Sequence, residues 1–188
     1  MKAEFNDLEK TYWRYYLELE QELLSTRKYV DFSEDNFNTF SIEYLKLYQA
    51  VCSEIDIFGK LLAHEMNQSF NSADKNISIL KWWFEIQDWY GDLNKHSINF
   101  CSIKVLNPWE GFVVEKYLDK KDATRFRVKQ GGDYRIPNWW KSYTEVKHRR
   151  AFKDNNGQMN YSKANLGNLC YSMGALYILE KNYLEQIG

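Results

Sequence analysis

The residues best suited to chemistry gather in one segment. Trp139, Trp140, Lys141, Tyr143, Lys147, His148, Arg149 and Arg150 fall between positions 139 and 150. An imidazole titrates near neutral pH, so His148 is the candidate acid or base. A guanidinium can grip a phosphate with two parallel hydrogen bonds and stabilise charge that develops on it. Arg150 is the candidate for that role, with Tyr143 orienting the site and Lys141, Lys147 and Arg149 holding phosphate. Aromatic rings beside cations also suit single-stranded RNA, whose bases stack while its phosphates meet Lys and Arg. On such a strand an imidazole can deprotonate the 2′-hydroxyl, which attacks the adjacent phosphate without a metal. The same residues have a second, architectural reading. Trp139 and Trp140 then anchor a helix in the core, and the cluster pairs with carboxylates elsewhere.

Two carboxylates are placed to be those partners. Glu54 and Asp56 lie two residues apart inside a strongly helical pattern. That spacing turns them about 200° apart, so they cannot share a substrate. Each reads as a partly buried carboxylate in an ion pair with a basic residue of another helix, and the Lys147 to Arg150 cluster is the natural candidate.

Other constellations are missing from the sequence. There is no phosphate loop, no G-x-G-x-x-G and no G-x-S-x-G. His64-Glu65 begins an H-E-x-x-H, but Gln68 stands where the second histidine belongs. His64, His96 and His148 are too scattered for a metal cluster, and no cofactor is expected. Cys52, Cys101 and Cys170 are odd in number, far apart and without a C-x-x-C pair, which argues against a disulfide framework.

The elements that must position these residues are mostly helical. Leu8, Tyr12, Tyr15, Leu19 and Leu23 predict a first helix over 7–27. Phe37, Phe40, Tyr44, Leu47, Val51, Ile55, Phe58 and Leu62 step by three and four and predict a long helix over 35–67. Ile79, Trp83, Ile86 and Tyr90 predict a third over 77–90, stopped by Gly91. A fourth follows Pro137, starting at Asn138 or at the capping-box pattern Ser142-x-x-Glu145. Ser162 reads as the cap of a last helix over 163–186, with Leu166, Leu169, Met173 and Leu176 as its stripe. Between them, 98–135 reads as an insertion. Ile98-Asn-Phe100 and Ile103-Lys-Val105 alternate as a short ribbon, whereas 112–118 and 124–129 suit strand or helix. The expected fold is mainly α, a single domain over 1–188. It is a bundle of about five helices with a small irregular or β-hairpin insertion.

Composition sets the wider bounds. The chain has 188 residues, 44% of them hydrophobic and 17% aromatic, ample for one packed domain. Only Pro108 and Pro137 interrupt it. No leader pattern and no span of about 18 apolar residues is seen, so a cytoplasmic chain without a membrane segment is expected. The net charge of −1 is unevenly spread. Lys and Arg number 12 between positions 116 and 153 against 4 Asp and Glu. That local excess points to an anionic partner, or to pairing with the acidic helices.

Two stretches also carry a family resemblance. One runs from Tyr15-Tyr-Leu-Glu-Leu-Glu through Ser41-Ile-Glu-Tyr-Leu-Lys-Leu to Cys52-Ser-Glu-Ile-Asp56. The other is Trp139-Trp140-Lys-x-Tyr143-x-x-Val146-Lys147-His148-x-Arg150, followed by Ala164-Asn165-Leu166-Gly-Asn168-Leu. Together they resemble a group of bacterial proteins with the architecture of the HEPN superfamily, which is rich in toxins and phage-defence ribonucleases. The resemblance implies a metal-independent ribonuclease acting as a homodimer, its sites formed where helices meet across the interface. The family pattern has an Arg, four to six residues, then His. Here the corresponding positions hold Tyr143, Ser142 and Lys141, so the Arg is absent. Lys141 keeps the charge without the planar fork. The expected partner is single-stranded RNA bound or cleaved by this cluster. The alternative is a protein partner, with the chain a non-catalytic interaction module or regulator and the cluster an ion-pair anchor. The abundance of aromatic residues also allows a bundle that dimerises through aromatic faces.

Overall fold

The computed structural model describes residues 9–74, 77–89 and 91–187. The chain opens on a π-helical turn, Glu9–Trp13, which runs into α1, Arg14–Ser25. Leu8, the first residue of the expected stripe, lies outside the described residues. Tyr16 rather than Tyr15 turns inward with Leu19 and Leu23, and its ring stacks on Trp13 at 5.0 Å. Tyr16 lies nearer the mean direction of the Tyr12, Leu19 and Leu23 side chains on a 3.6-residue helix, which is why it wins.

The long helix α2 spans Ile42–Met66 and starts later than its apolar period suggests. Ser41 is extended, and its hydroxyl accepts a hydrogen bond from the Tyr44 amide at 3.0 Å. That cap fixes the helix start. Phe37 and Phe40 match the period yet precede the helix, and Phe40 bridges to Asn165 instead. From Tyr44 to Leu62 the expected stripe is buried throughout. The third helix, α3, is short, Ile79–Ile86. Gln87 caps it, so Gly91, the expected stop, lies five residues beyond its end with φ of +76°, and Tyr90 lies outside the described residues.

The 98–135 segment forms two antiparallel ribbons. β1, Ile98–Phe100, pairs with β2, Lys104–Leu106, and β3, Val114–Leu118, pairs with β4, Thr124–Val128. The undecided stretches are therefore strands, and the fold is mainly α with a β insertion rather than a pure bundle. The segment also does more packing than an insertion would. Leu106, Trp109, Phe112 and Val114 are buried. Gln87, just after α3, ties the start of β3 down, donating to the Val114 carbonyl and accepting from its amide.

Two further helices close the domain. α4 spans Asn138–Arg149, so Ser142 sits inside it and does not start it. A 3-10 turn, Asn160–Lys163, precedes α5, Leu166–Ile187. Its cap is Asn165, whose side-chain oxygen accepts from the Asn168 amide at 2.9 Å. Ser162 instead donates back to the Met159 carbonyl, so the expected cap is corrected. No described helix is long and apolar enough to cross a membrane.

Tryptophans join the layers. Trp83 stacks on Trp109 at 4.4 Å and on Phe112 at 4.9 Å, while Trp109 meets Trp139 edge-on at 5.1 Å. Their indole N–H groups are satisfied in the interior. Trp83 donates to the Phe112 carbonyl and Trp139 to the Pro108 carbonyl. Such rings bury large areas and fix orientation through one polar atom each. Gly59 is required here, because a Cβ would lie 2.7 Å from the Trp82 ring.

Candidate functional site

α4 presents two faces, and its sequence explains both. Trp139, Trp140, Tyr143 and Val146 recur at three and four and are buried. Tyr48 of α2 donates to the Trp139 carbonyl, which fixes the start of the helix against the core. The opposite face and the last turn carry the charges. Lys141, Lys147, His148, Arg149 and Arg150 are all exposed. Cations in a last turn also meet the partial negative charge of a helix C-terminus, which favours them there.

His148, Lys147 and Lys141 line one cavity of about 660 Å³. Its floor is apolar, made of Ile79, Leu80, Ile136 and Trp140, and its polar wall includes Ser53 and Asp56 of α2. Arg149 opens elsewhere. It lines a second cavity, of about 610 Å³, with Phe152, Lys153, Asn160 and Lys163. Glu145 borders both cavities, so they adjoin across the end of α4. Arg150 lines neither, and its carbonyl accepts from the Tyr161 amide at 3.1 Å. The sequence thus places five charged or titratable groups on one helix. The structure brings three of them to one cavity, which neither arginine lines.

Tyr143 stands in the wall of the first cavity and is buried. Burial first, then the neighbouring Cys52 and Asp56, pushes its phenol up to about 12. It keeps its proton through the neutral range. Its ring leans on Trp140 at 5.2 Å, and the Lys147 ammonium sits over it at 5.4 Å. Its role is therefore to hold Lys147 by a cation–π contact and shape the wall.

The expected ion pairs between the cluster and α2 are not formed. The Asp56 carboxylate accepts from the Lys60 ammonium at 2.5 Å, one turn along its own helix, and from the Trp82 indole at 3.1 Å. Glu54 is 7% exposed on the other side of α2, towards α5. Among the described residues no ion pair is made by Lys141, Lys147, His148, Arg149 or Arg150. A local i, i+4 partner for Asp56 was on offer in the sequence and satisfied it more cheaply than a distant cation. On this side of α4, Glu145 pairs with Lys163 at 2.6 Å, and Lys163 also pairs with Asp154 at 3.4 Å.

Chemically, the first cavity offers an accessible imidazole and two lysines in the same lining, with an apolar floor. It can accept a flat ring with an anionic group attached. A carboxylate that would orient the imidazole is not bonded to it among the described residues.

One residue that sequence reasoning passed over is Glu180 on α5, 1% exposed, with neither carboxyl oxygen hydrogen-bonded among the described residues. The signal was available. Leu169, Met173 and Leu176 continue by a step of four to position 180, which puts a carboxylate on an apolar stripe. No family model, curated protein or solved structure matches this chain.

Proposed function

We propose that the protein binds single-stranded RNA across the exposed end of α4. The observation that carries this reading is that Lys141, Lys147, Arg149 and Arg150, exposed and without a carboxylate partner among the described residues, gather on and just beyond one helix beside two adjoining cavities. Phosphates would lie on Lys147 and Lys141 in the first cavity and on Arg149 and Lys153 in the second. Phe152, exposed at the rim of the second cavity, supplies a ring on which a base can stack. Binding of this kind weakens steeply with salt, because phosphate contacts release counterions.

Metal-independent cleavage is the second reading, favoured by the place of His148 beside Lys147. In it, neutral His148 takes the proton of a 2′-hydroxyl, and the alkoxide attacks the adjacent phosphorus. A 2′,3′-cyclic phosphate forms, and the 5′-oxygen of the next nucleotide leaves and is protonated. Neither Arg149 nor Arg150 lines the cavity that holds His148, so a homodimer, in which a second copy supplies that charge, belongs to this reading. A bacterial defence or toxin setting rests on the HEPN resemblance alone.

The test is incubation of the protein with single-stranded RNA in EDTA, beside His148→Ala. Binding by both proteins without cleavage leaves an RNA-binding module. Cleavage lost in the variant establishes His148 as the acid/base. Absence of binding in low salt overturns the RNA reading and directs the search to a protein partner.

A further inference from the structure

Glu180 is buried with neither carboxyl oxygen hydrogen-bonded among the described residues. A buried carboxylate without partners is costly as an anion, so such a group tends to hold its proton. The charged group acting on it is Glu54 of α2, a second buried carboxyl. Tyr12 of the π-helical turn and Tyr16 of α1 face the pair as well. Burial above all pushes both phenols up, followed at Tyr12 by Glu54 and Glu180 and at Tyr16 by its own helix neighbour Glu20. Tyr177 and Tyr183 flank Glu180 one turn away on α5. The contacts of α5 with the 98–109 segment lie nearer its start. There Ile98 abuts Gly174, and the Trp109 indole donates to the Ala175 carbonyl. Among the described residues no Lys, Arg or His acts on Glu180.

The cover over this pair is held by packing, by rings nearest the pair and by buried Leu19 and Leu23 further along α1. Tyr12 meets Phe58 of α2 at 5.2 Å, and Trp13 and Tyr16 meet Tyr177 at 6.1 and 5.8 Å. The Tyr16 hydroxyl donates to Glu20 within its own helix. Between Tyr12 and Glu22, no ion pair or side-chain hydrogen bond ties the segment to α2 or α5 among the described residues.

We infer that the Glu54–Glu180 pair is a proton-held latch: while it keeps a proton, residues 9–25 stay packed on α2 and α5, and losing it favours their release. Release would uncover Phe58 and Tyr177. The sign follows from linkage. Burial, and after it the Glu54 charge, hold Glu180 up at about 8, whereas a released Glu180 would have an ordinary carboxylate value. A raised carboxyl leaves the closed state most stable below the ordinary value. Its stability falls as pH rises and levels off above about 8, where the closed state ionises too.

Hydrogen exchange between pH 5 and 9, expressed as protection factors, tests this on the full chain. Residues 9–25 should be less protected than the middle of α2. Their protection should fall by up to about tenfold per pH unit below 8 and then level off. Glu180→Gln should flatten that dependence. Glu54→Gln, a milder change, should move its upper end to lower pH. Equal protection of residues 9–25 and α2, or an unchanged pH dependence in both variants, would overturn the latch.

Discussion

The two sides of α2 treat a carboxylate in opposite ways. Asp56 faces the α4 cavity and is satisfied locally by Lys60 and by the Trp82 indole. Glu54 faces α5 and meets a second buried carboxyl in place of a cation. The difference teaches how charge is distributed in this fold. Because Asp56 is already paired, the cations of α4 are left to solvent. Among the described residues no cation acts on Glu180, so the latch proposed for that side depends on a proton.

The largest expected effect comes from removing the unpartnered charge. Glu180→Leu should stabilise the protein at pH 7 by on the order of 3 kcal/mol, since each pH unit between the ordinary and raised values is worth about 1.4 kcal/mol. Folded-state stability of the wild type should fall as pH rises from about 5 to 8, and that of the variant should not. Denaturant melts across that range check both statements. A variant less stable than wild type at pH 8 would break the comparison on its buried side.

On the Asp56 side the expected losses are smaller. Trp82→Phe removes the indole donor and part of a packed ring, and should cost about 2 kcal/mol by thermal or urea melts. Asp56→Asn leaves Lys60 without its partner at a half-exposed site, where such pairs are worth at most about 1 kcal/mol. A larger loss from Asp56→Asn would mean that the carboxylate does more than bond Lys60 and Trp82.

How much of this was legible in the sequence follows from what is local. The α2 stripe from Tyr44 to Leu62 is an unbroken three-four period, and the opposed directions of Glu54 and Asp56 follow from helix geometry. Trp139 and Trp140 were legible as anchors. The start of α2 was not, because Phe37 and Phe40 keep the period while Ser41 ends it through a single side-chain bond. Trp109 and Phe112 have no periodic neighbours, and their burial depends on α3 and α4 arriving from elsewhere in the chain. The site was legible as a set of residue types on one helix. Its division into two cavities was not, since that is set by Ile136 and the segment before α3 on one side and by the 150–163 loop on the other.

The central claim is that the cations of α4 are a free phosphate-binding surface and no structural anchor. The most direct measurement pairs stability with RNA affinity in the triple variant Lys147→Ala, Arg149→Ala, Arg150→Ala. The account predicts a melting temperature close to wild type, and affinity for a single-stranded RNA lowered at least about tenfold with a shallower salt dependence. A variant that melts early while binding RNA as wild type does, or a wild type that binds none at low salt, would contradict it.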